Sequence, residues 1–294
     1  MLKSNALSFY YKLMKRKKLI KIIVTAVILL IIAVSVILGN NMIEVNNYQI
    51  KASNLPSQFN NFKIAQISDF HNKKNYDSVI EKLNQASPDI IVITGDLIDS
   101  RRTKTEISIN FVKKLTEIAP CYYVMGNHES RLTDVYPSFE NDLKEIGVTV
   151  LRNEKITIEK NGEYITLIGL DDPRLQGKTK GIDYACQIIE GELSQLVAED
   201  NGYTAVLCHR PEVFSVYVNQ NVDLALTGHA HGGQAILPFI GGVIAPNQGF
   251  FPKYYKGIYQ ENNTTMIVSR GIGNSLCPIR FNNRPEIVIV ELEA

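Results

Sequence analysis

The sequence predicts an α/β fold carried behind one membrane-spanning helix. Three observations predict it. Short apolar runs alternate with amphipathic stretches from residue 63 onward, the C-terminal third is richer in strand-like runs and glycine, and residues 22–38 hold no charged side chain. The first half reads βαβαβ, which implies a parallel sheet with right-handed crossovers. The last third implies a second sheet.

The N-terminal segment comes first in the chain. Residues 1–21 carry seven basic side chains (Lys3, Lys12, Lys15, Arg16, Lys17, Lys18, Lys21) and no acid. Residues 22–38, IIVTAVILLIIAVSVIL, follow, and the run reaches Ile43 if Gly39, Asn40 and Asn41 are admitted. Seventeen helical residues span about 26 Å, the short end of what crosses a bilayer. Lys21 can snorkel to the headgroups. A buried core helix would normally keep a polar face. A cleaved signal peptide would have a shorter apolar core, and Val36-Ile37-Leu38-Gly39 is a poor small-residue cleavage site. Basic flanks stay in the cytoplasm, so the rest of the chain is expected outside. The expected division is a basic cytoplasmic segment over 1–21, an anchor over 22–43, a connector over 44–61 with a short strand at 48–52, and one catalytic domain over 62–294.

Past residue 21 the chain holds 24 basic and 30 acidic side chains. An acidic body does not suit nucleic acid, which asks for a basic patch, so no nucleic-acid partner is expected. With 45% hydrophobic and 21% charged residues, the balance is otherwise that of an ordinary globular protein.

Expected strands lie at 63–68, 89–94, 121–125, 164–170, 203–208, 222–227, 264–269 and 286–292. Several are unbroken apolar runs, as strands buried on both faces require. Expected helices lie between them. Residues 75–87 group Val79, Ile80 and Leu83, with Asn75 as a cap and Pro88 following. Residues 104–119 group Ile107, Phe111, Leu115 and Ile118, with Thr103 and Glu106 as a capping box and Pro120 as a stop. Residues 182–199 group Ile182, Cys186, Ile189, Leu193 and Leu196. Cys121, Cys186, Cys208 and Cys277 are scattered without CxxC spacing and read as small buried hydrophobes.

The chemistry sits just beyond these strands. Strand 63–68 runs into Asp69-Phe70-His71, and strand 89–94 into Gly95-Asp96-Leu97-Ile98-Asp99. Strand 121–125 runs into Gly126-Asn127-His128-Glu129, strand 203–208 into His209, and strand 222–227 into Gly228-His229-Ala230-His231. Ligands of open α/β sheets bind beyond the carboxyl ends of the strands, so five loaded ends converge there. Each motif singly could be a polar turn. Five in succession, each after a buried strand, point to a site. Oxygen and imidazole donors suit divalent first-row metals, and the lack of cysteine argues against structural zinc. Two such cations close together can clamp a phosphoryl group and activate a water for in-line attack.

SDFH at 68–71, GDLID at 95–99, GNHE at 126–129, His209 and GHAH at 228–231 resemble the five-block signature of the calcineurin-like metallophosphoesterases. GHAHGGQAILP at 228–238, KGIY at 256–259, SRGIG at 269–273 and RPEIVIVEL at 284–292 resemble its bacterial YkuE- and YaeI-type subgroup, whose members are usually tethered or exported. The resemblance implies a four-layer α/β/β/α sandwich over roughly 62–293. It implies that Asp69, His71, Asp96 and His231 hold one metal, and that Asp96 bridges to a second held also by Asn127, His209 and His229. It further implies that His128 faces substrate as general acid, with Asp99 orienting it by a hydrogen bond. The expected cofactors are two divalent ions, Mn2+ foremost, with Fe or Zn2+ as alternatives.

The expected activity is hydrolysis of a phosphomonoester, phosphodiester or pyrophosphate by a hydroxide formed between the metals. The expected substrate is a phosphorylated small molecule or a lipid-linked or envelope compound, with a UDP-diacylglucosamine-type lipid as one alternative. The remaining alternative, an inactive metal-stabilised binding module, would be expected to have lost a ligand or the acid histidine, and all of them stand. Arg101, Arg102, Arg270 and Arg280 are candidate phosphate contacts, each more readily read as a solvated charge or ion-pair partner. Phe250, Phe251, Tyr254 and Tyr255 are expected either to face the membrane or to pack beneath the C-terminal sheet.

Overall fold

A computed structural model of the chain describes residues 2–177, 181–197, 202–274 and 279–294. The N-terminal run forms one helix, α1 (Leu2–Asn41), with exposed side chains over 10–34. Such an apolar surface is what a bilayer covers.

Two six-stranded mixed sheets follow. The first is built from β1 (Glu44–Lys51), β2 (Phe62–Ile67), β3 (Ile90–Thr94), β4 (Cys121–Val124), β5 (Thr149–Val150) and the last strand of the chain (Glu286–Glu293). Its order is β1, last strand, β2, β3, β4, β5. The second holds β6 (Glu154–Lys160), β7 (Glu163–Gly169), β8 (Thr204–Leu207) and β9 (Leu224–Thr227). Between β9 and its own last two strands lie two small hairpins, β10–β11 (Ile236–Leu237, Gly241–Gly242) and β12–β13 (Ile244–Ala245, Gly249–Phe250). β14 (Gly257–Glu261) and β15 (Thr264–Val268) then complete the second sheet, and Glu286–Glu293 is β16. The second sheet's order is β14, β15, β9, β8, β7, β6.

Three packed cores give the expected four layers. One lies under α2 (Asp77–Ala86), α3 (Thr105–Thr116) and α4 (Tyr136–Glu145), where Leu83, Phe111 and Phe139 meet Ile91 and Ile93. The central core lies between the sheets, with Ile64, Val92 and Val290 against Leu167, Ala205 and Leu226. The third lies under α5 (Ile182–Val197) and α6 (Phe214–Asn219), where Ile189 and Tyr217 meet Val206 and Ala225. β3 is buried at every position, which is why its sequence shows no alternation.

All eight expected strands are present. Several local expectations fail. The residue before α3 is Lys104 and makes no side-chain cap; Thr103 instead donates its hydroxyl to Asp99 O, so the Thr103–Glu106 capping box does not form. Asn75 does not cap α2, whose N-cap is Tyr76. Residues 44–51, expected as connector with a strand at 48–52, pair along their whole length with β16 in parallel. α4, β5, β6 and the hairpins were not foreseen. Cys121 and Cys208 are buried and Cys186 is half-buried, all three as free thiols, while Cys277 lies outside the described residues.

Candidate metal centre

Every loaded strand end reaches one place. Phe70 fixes the first of them: its ring stacks on Phe111 at 4.1 Å between centroids, turning Asp69 and His71 the other way. The loops interlock by backbone bonds, Asp69 N–H to Gly95 O and His71 N–H to Asp96 O, each 3.0 Å. Asp69, His71, Asp96, His229 and His231 all adopt positive φ, between 48° and 66°. Five non-glycine residues in that sparsely populated region mark strain of the kind found at working sites. Gly126 shows why glycine stands between β4 and Asn127, since a Cβ there would lie 2.2 Å from Asp96 Oδ1.

Among the described residues, three groups of possible donors result; His71, Asp99 and His128 form one, and the other two share Asp96. Asp69, His71, Asp96 and His231 form the first of these two sets, and Asp96, His209 and His229 the second; within each set one ligand atom per residue lies within 4.8 Å of the rest. Asp96 belongs to both, and its two oxygens divide the work. Oδ1 accepts the His128 N–H at 2.8 Å. Oδ2 stays turned inward, 3.6 Å from His71 Nε2 and 3.2 Å from His209 Nε2. Asp69 is divided likewise. Its Oδ2 accepts from the Ser68 hydroxyl and the His229 N–H, while Oδ1 is buried without a hydrogen-bond partner, 3.3 Å from His231 Nε2. The Nε2 atoms of His71 and His231 face each other at 3.2 Å. An orphaned carboxylate oxygen beside facing imidazole nitrogens, all buried, is a costly arrangement that a cation relieves. The residues present fit a pair of divalent ions.

Supporting contacts set which imidazole nitrogen is available. His209 Nδ1 meets Thr94 O at 2.7 Å, which leaves Nε2 for the site. The side-chain amide of Asn127 faces His229 Nδ1 at 2.7 Å, beside the second set. His229 Nε2 meets Arg210 Nη1 at 3.0 Å. Arg210 is fully buried, paired with Asp172 and Glu212, and fixes the outer wall.

Charges follow from burial and neighbours. Burial pushes His71 and His231 down to about 3, so both rings are neutral, the form that ligates. Burial also pulls on His209, but Asp96 and Asp69 overcome it and hold the ring up at about 10. In the metal-free protein the stabilisation from a protonated His209 is therefore complete below pH 6.5 and is lost as pH rises through about 10. Cation binding must displace that proton. Mn2+ affinity of the full chain is expected to rise with pH across this window, by up to about tenfold per unit. Calorimetry in buffers of different ionisation enthalpy would read the released proton, and an affinity flat with pH would contradict the assignment.

One expectation needs correction. Asp99 does not make the hydrogen bond to His128. The Ser100 N–H donates to His128 Nδ1 at 2.9 Å, while Asp99 Oδ1, 3.4 Å away, accepts from the Arg101 N–H at 2.8 Å. Of the candidate arginines, Arg270 and Arg280 follow the reading as partnered charges. Arg270 pairs with Glu286 and Glu44, and buried Arg280 donates to the carbonyls of Arg270 and Gly273. Arg101 and Arg102 are exposed on the loop beyond Asp99.

Sequence reasoning missed two supports. Ser100 is one, and nothing in GDLID points to it. Glu129 is the other: it is wholly buried, and its carboxylate accepts from Asp96 N–H, Ile98 N–H and Gly126 N–H, each 2.9 Å. It ties the second loaded loop to the third. A glutamate directly after three polar site residues was the available signal.

The chain is similar to known proteins. The sequence profile of the family described as calcineurin-like phosphoesterase matches residues 62–233. The metallophosphoesterase YkuE of Bacillus subtilis (strain 168) is 36% identical over 266 residues, covering 86% of this chain and 87% of that protein. Phosphodiesterase YaeI of Escherichia coli (strain K12) is 29% identical, over 79% of this chain and 82% of its own length. A transmembrane protein with a metallophosphoesterase domain from Danio rerio is 26% identical over 95% of this chain, which spans 63% of that longer protein.

Proposed function

Since the chain belongs to the calcineurin-like phosphoesterase family, whose members are metal-dependent phosphoesterases, we propose that it hydrolyses phosphomonoester, phosphodiester or pyrophosphate bonds at the outer face of a membrane. The observation that carries this reading is Asp96 Oδ2, one oxygen shared by two buried donor sets. Asp69, His71, Asp96 and His231 would hold one ion, and Asp96, Asn127, His209 and His229 the other. Mn2+ suits this all-nitrogen and oxygen set, with Fe and Zn2+ as the other fitting ions. Bound there, the pair would supply Lewis acidity toward a phosphoryl oxygen and toward a water.

The chain's own side chains do the rest. Because the Ser100 N–H donates to His128 Nδ1, the neutral ring keeps its proton on Nε2. That nitrogen points into the centre, 4.0 Å from Asp96 Oδ2, and from the charged ring it can pass its proton to a leaving alkoxide, which returns the ring to neutral. Burial pushes the His128 ring toward its neutral form, while the charges of Asp96 and Asp99 beside it favour the protonated form that donates. Arg131 stands at the rim, its guanidinium 3.1 Å from the Asn127 amide, and is placed to meet a phosphate oxygen.

The test is an assay of the full chain in nanodiscs with Mn2+ on chromogenic mono- and diesters. Turnover lost on chelation and restored by Mn2+ is expected. Two bound ions with no turnover on any ester would instead support a binding module. His128→Asn is expected to lower kcat by about 10²–10⁴-fold with both ions retained, and loss of metal in that variant would remove the proton-donor role. A narrower reading, a nucleotide-linked lipid of the UDP-diacylglucosamine type, is favoured by the end of α1 lying beside the centre. A substrate panel including that lipid distinguishes it.

A further inference from the structure

The anchor and the metal centre lie at the same end of the molecule. Only Met42 and Ile43 separate α1 from β1. β1 runs parallel to β16 with Glu44 opposite Glu286, and β16 runs antiparallel to β2 with Val288 opposite Gln66. The first residues of β1 therefore sit at the carboxyl end of β2, where Asp69 begins the site. Direct contacts close the gap. Asn40 Oδ1 accepts from Asn274 Nδ2 at 2.9 Å, and the neighbouring Gly273 N–H donates to Asp69 O at 2.7 Å. Gly39 is pressed against the chain, since a Cβ there would lie 2.5 Å from Arg280 O. A helix held by its last turn and joined by two residues leaves the domain little room to stand off from the bilayer.

Among the described residues, the same end carries the domain's most exposed large apolar side chains. Phe239 and Ile240 cap the β10–β11 hairpin, and Ile244, Phe250 and Phe251 belong to the β12–β13 hairpin; all are exposed, Phe239 completely. The two hairpins are joined at Val243, whose N–H donates to Ala235 O and whose carbonyl accepts from Phe251 N–H, each at 2.9 Å. They stand against both features. Ile236, at the base of the first, lines a cavity of about 350 Å³ together with Ser35, Leu38 and Gly39 of α1. Asn247, in the second, reaches His229 Nε2 at 3.3 Å. Lys253 and Lys256, exposed just beyond, suit anionic headgroups.

We propose that the two hairpins seat the active-site end in the outer leaflet, so that Phe239, Ile240, Phe250 and Phe251 enter the acyl boundary beside α1. The occupant of this surface is the bilayer, because the membrane helix is continuous with it. Apolar loop tips with lysines beside them are the expected makeup of a surface that lies in the interface. The centre then opens toward the leaflet, and its substrate arrives from there. This rests on reading α1 as a membrane span, and not on catalysis.

The chain contains no tryptophan, which gives a direct probe. Phe239→Trp, Phe250→Trp, Leu30→Trp and Tyr164→Trp would each be made in the full chain and placed in vesicles of phosphatidylcholine and phosphatidylglycerol. Tyr164 is exposed at the start of β7, the opposite end of the sheets. With bromines on the acyl chains, residues 30, 239 and 250 are expected to lose roughly twofold or more of their fluorescence, as for groups about 5–10 Å inside the interface. Residue 164 is expected to be unaffected. Quenching at 30 but at neither 239 nor 250 would overturn the seating while leaving the anchor intact. No quenching at 30 would remove the anchor and the proposal with it. Neither outcome depends on whether the protein turns over a phosphoester.

Discussion

Asp96→Asn is expected to abolish hydrolysis and to empty both cation sites together. The carboxylate divides its duties between two oxygens. Oδ1 accepts the His128 N–H and so sets the start of the third loaded loop, while Oδ2 is the atom that both donor sets share. An amide keeps the shape but loses the charge, and its NH2 must face either the His128 N–H or a ring nitrogen bound for a cation. The loss of rate should exceed the ~10²–10³-fold that removal of one electrostatic donor costs, because ground-state metal binding fails as well. Metal analysis on the purified variant should find less than one ion per chain. His71→Ala should behave differently: it removes a ligand of one set only, and the second set, with His209 and His229, should still retain an ion. If Asp96→Asn keeps two ions and most of its activity, the carboxylate is not the bridge, and the binuclear reading fails with it.

How far the sequence reached depends on how each feature is encoded. Strands such as Ile90–Thr94, Thr204–Leu207 and Leu224–Thr227 are buried throughout between two sheets and a helix layer, so their apolar runs are unmistakable. The candidate ligands stand directly beyond those runs, which is why Asp69, Asp96, Asn127, His209 and His229 stand out in the sequence. β6 could not, because it is an edge strand buried at Ile158 with lysine and glutamate at most other positions. α4 was hidden by Pro137 in its first turn and by a face of only Tyr136, Phe139 and Leu143. The caps failed for another reason. Thr103 had a competing acceptor in Asp99 O, which comes close only after the GDLID loop has folded over. Ser100 replaced Asp99 at His128 in the same way, through a backbone N–H that carries no side-chain signature. The proximity of anchor and site was equally invisible: it depends on β1 pairing with β16, 242 residues apart at Glu44 and Glu286.

Glu129→Ala is expected to cost the most stability of any single change near the centre. The side chain is wholly buried, and its two oxygens accept three backbone N–H groups, from Asp96, Ile98 and Gly126. Truncation leaves all three donors buried and unpaired in a pocket too tight for easy rearrangement, since Gly126 already touches Asp96. At about 1–3 kcal/mol for each orphaned group, relieved in part by local shifts, the expected loss is about 3–5 kcal/mol. For a domain of this size that corresponds to a fall in Tm of roughly 6–20 °C. Burial pushes the Glu129 carboxyl upward, with the nearby Asp96 charge as the second cause, against the pull of its N–H partners. A carboxyl raised in the folded state loses stability as pH climbs from its unfolded value, near 4.5, toward the folded one. Glu129→Gln should therefore remove that slope in the metal-free chain while keeping part of the hydrogen bonding. Bound cations favour the ionised carboxylate, so metal should restore more stability to the wild-type chain than to the glutamine variant. Thermal unfolding of the three proteins, with and without Mn2+, at pH 5 and pH 8 separates these effects. Equal Tm values for wild type and Glu129→Ala would show that Glu129 is not what ties Asp96 to Gly126.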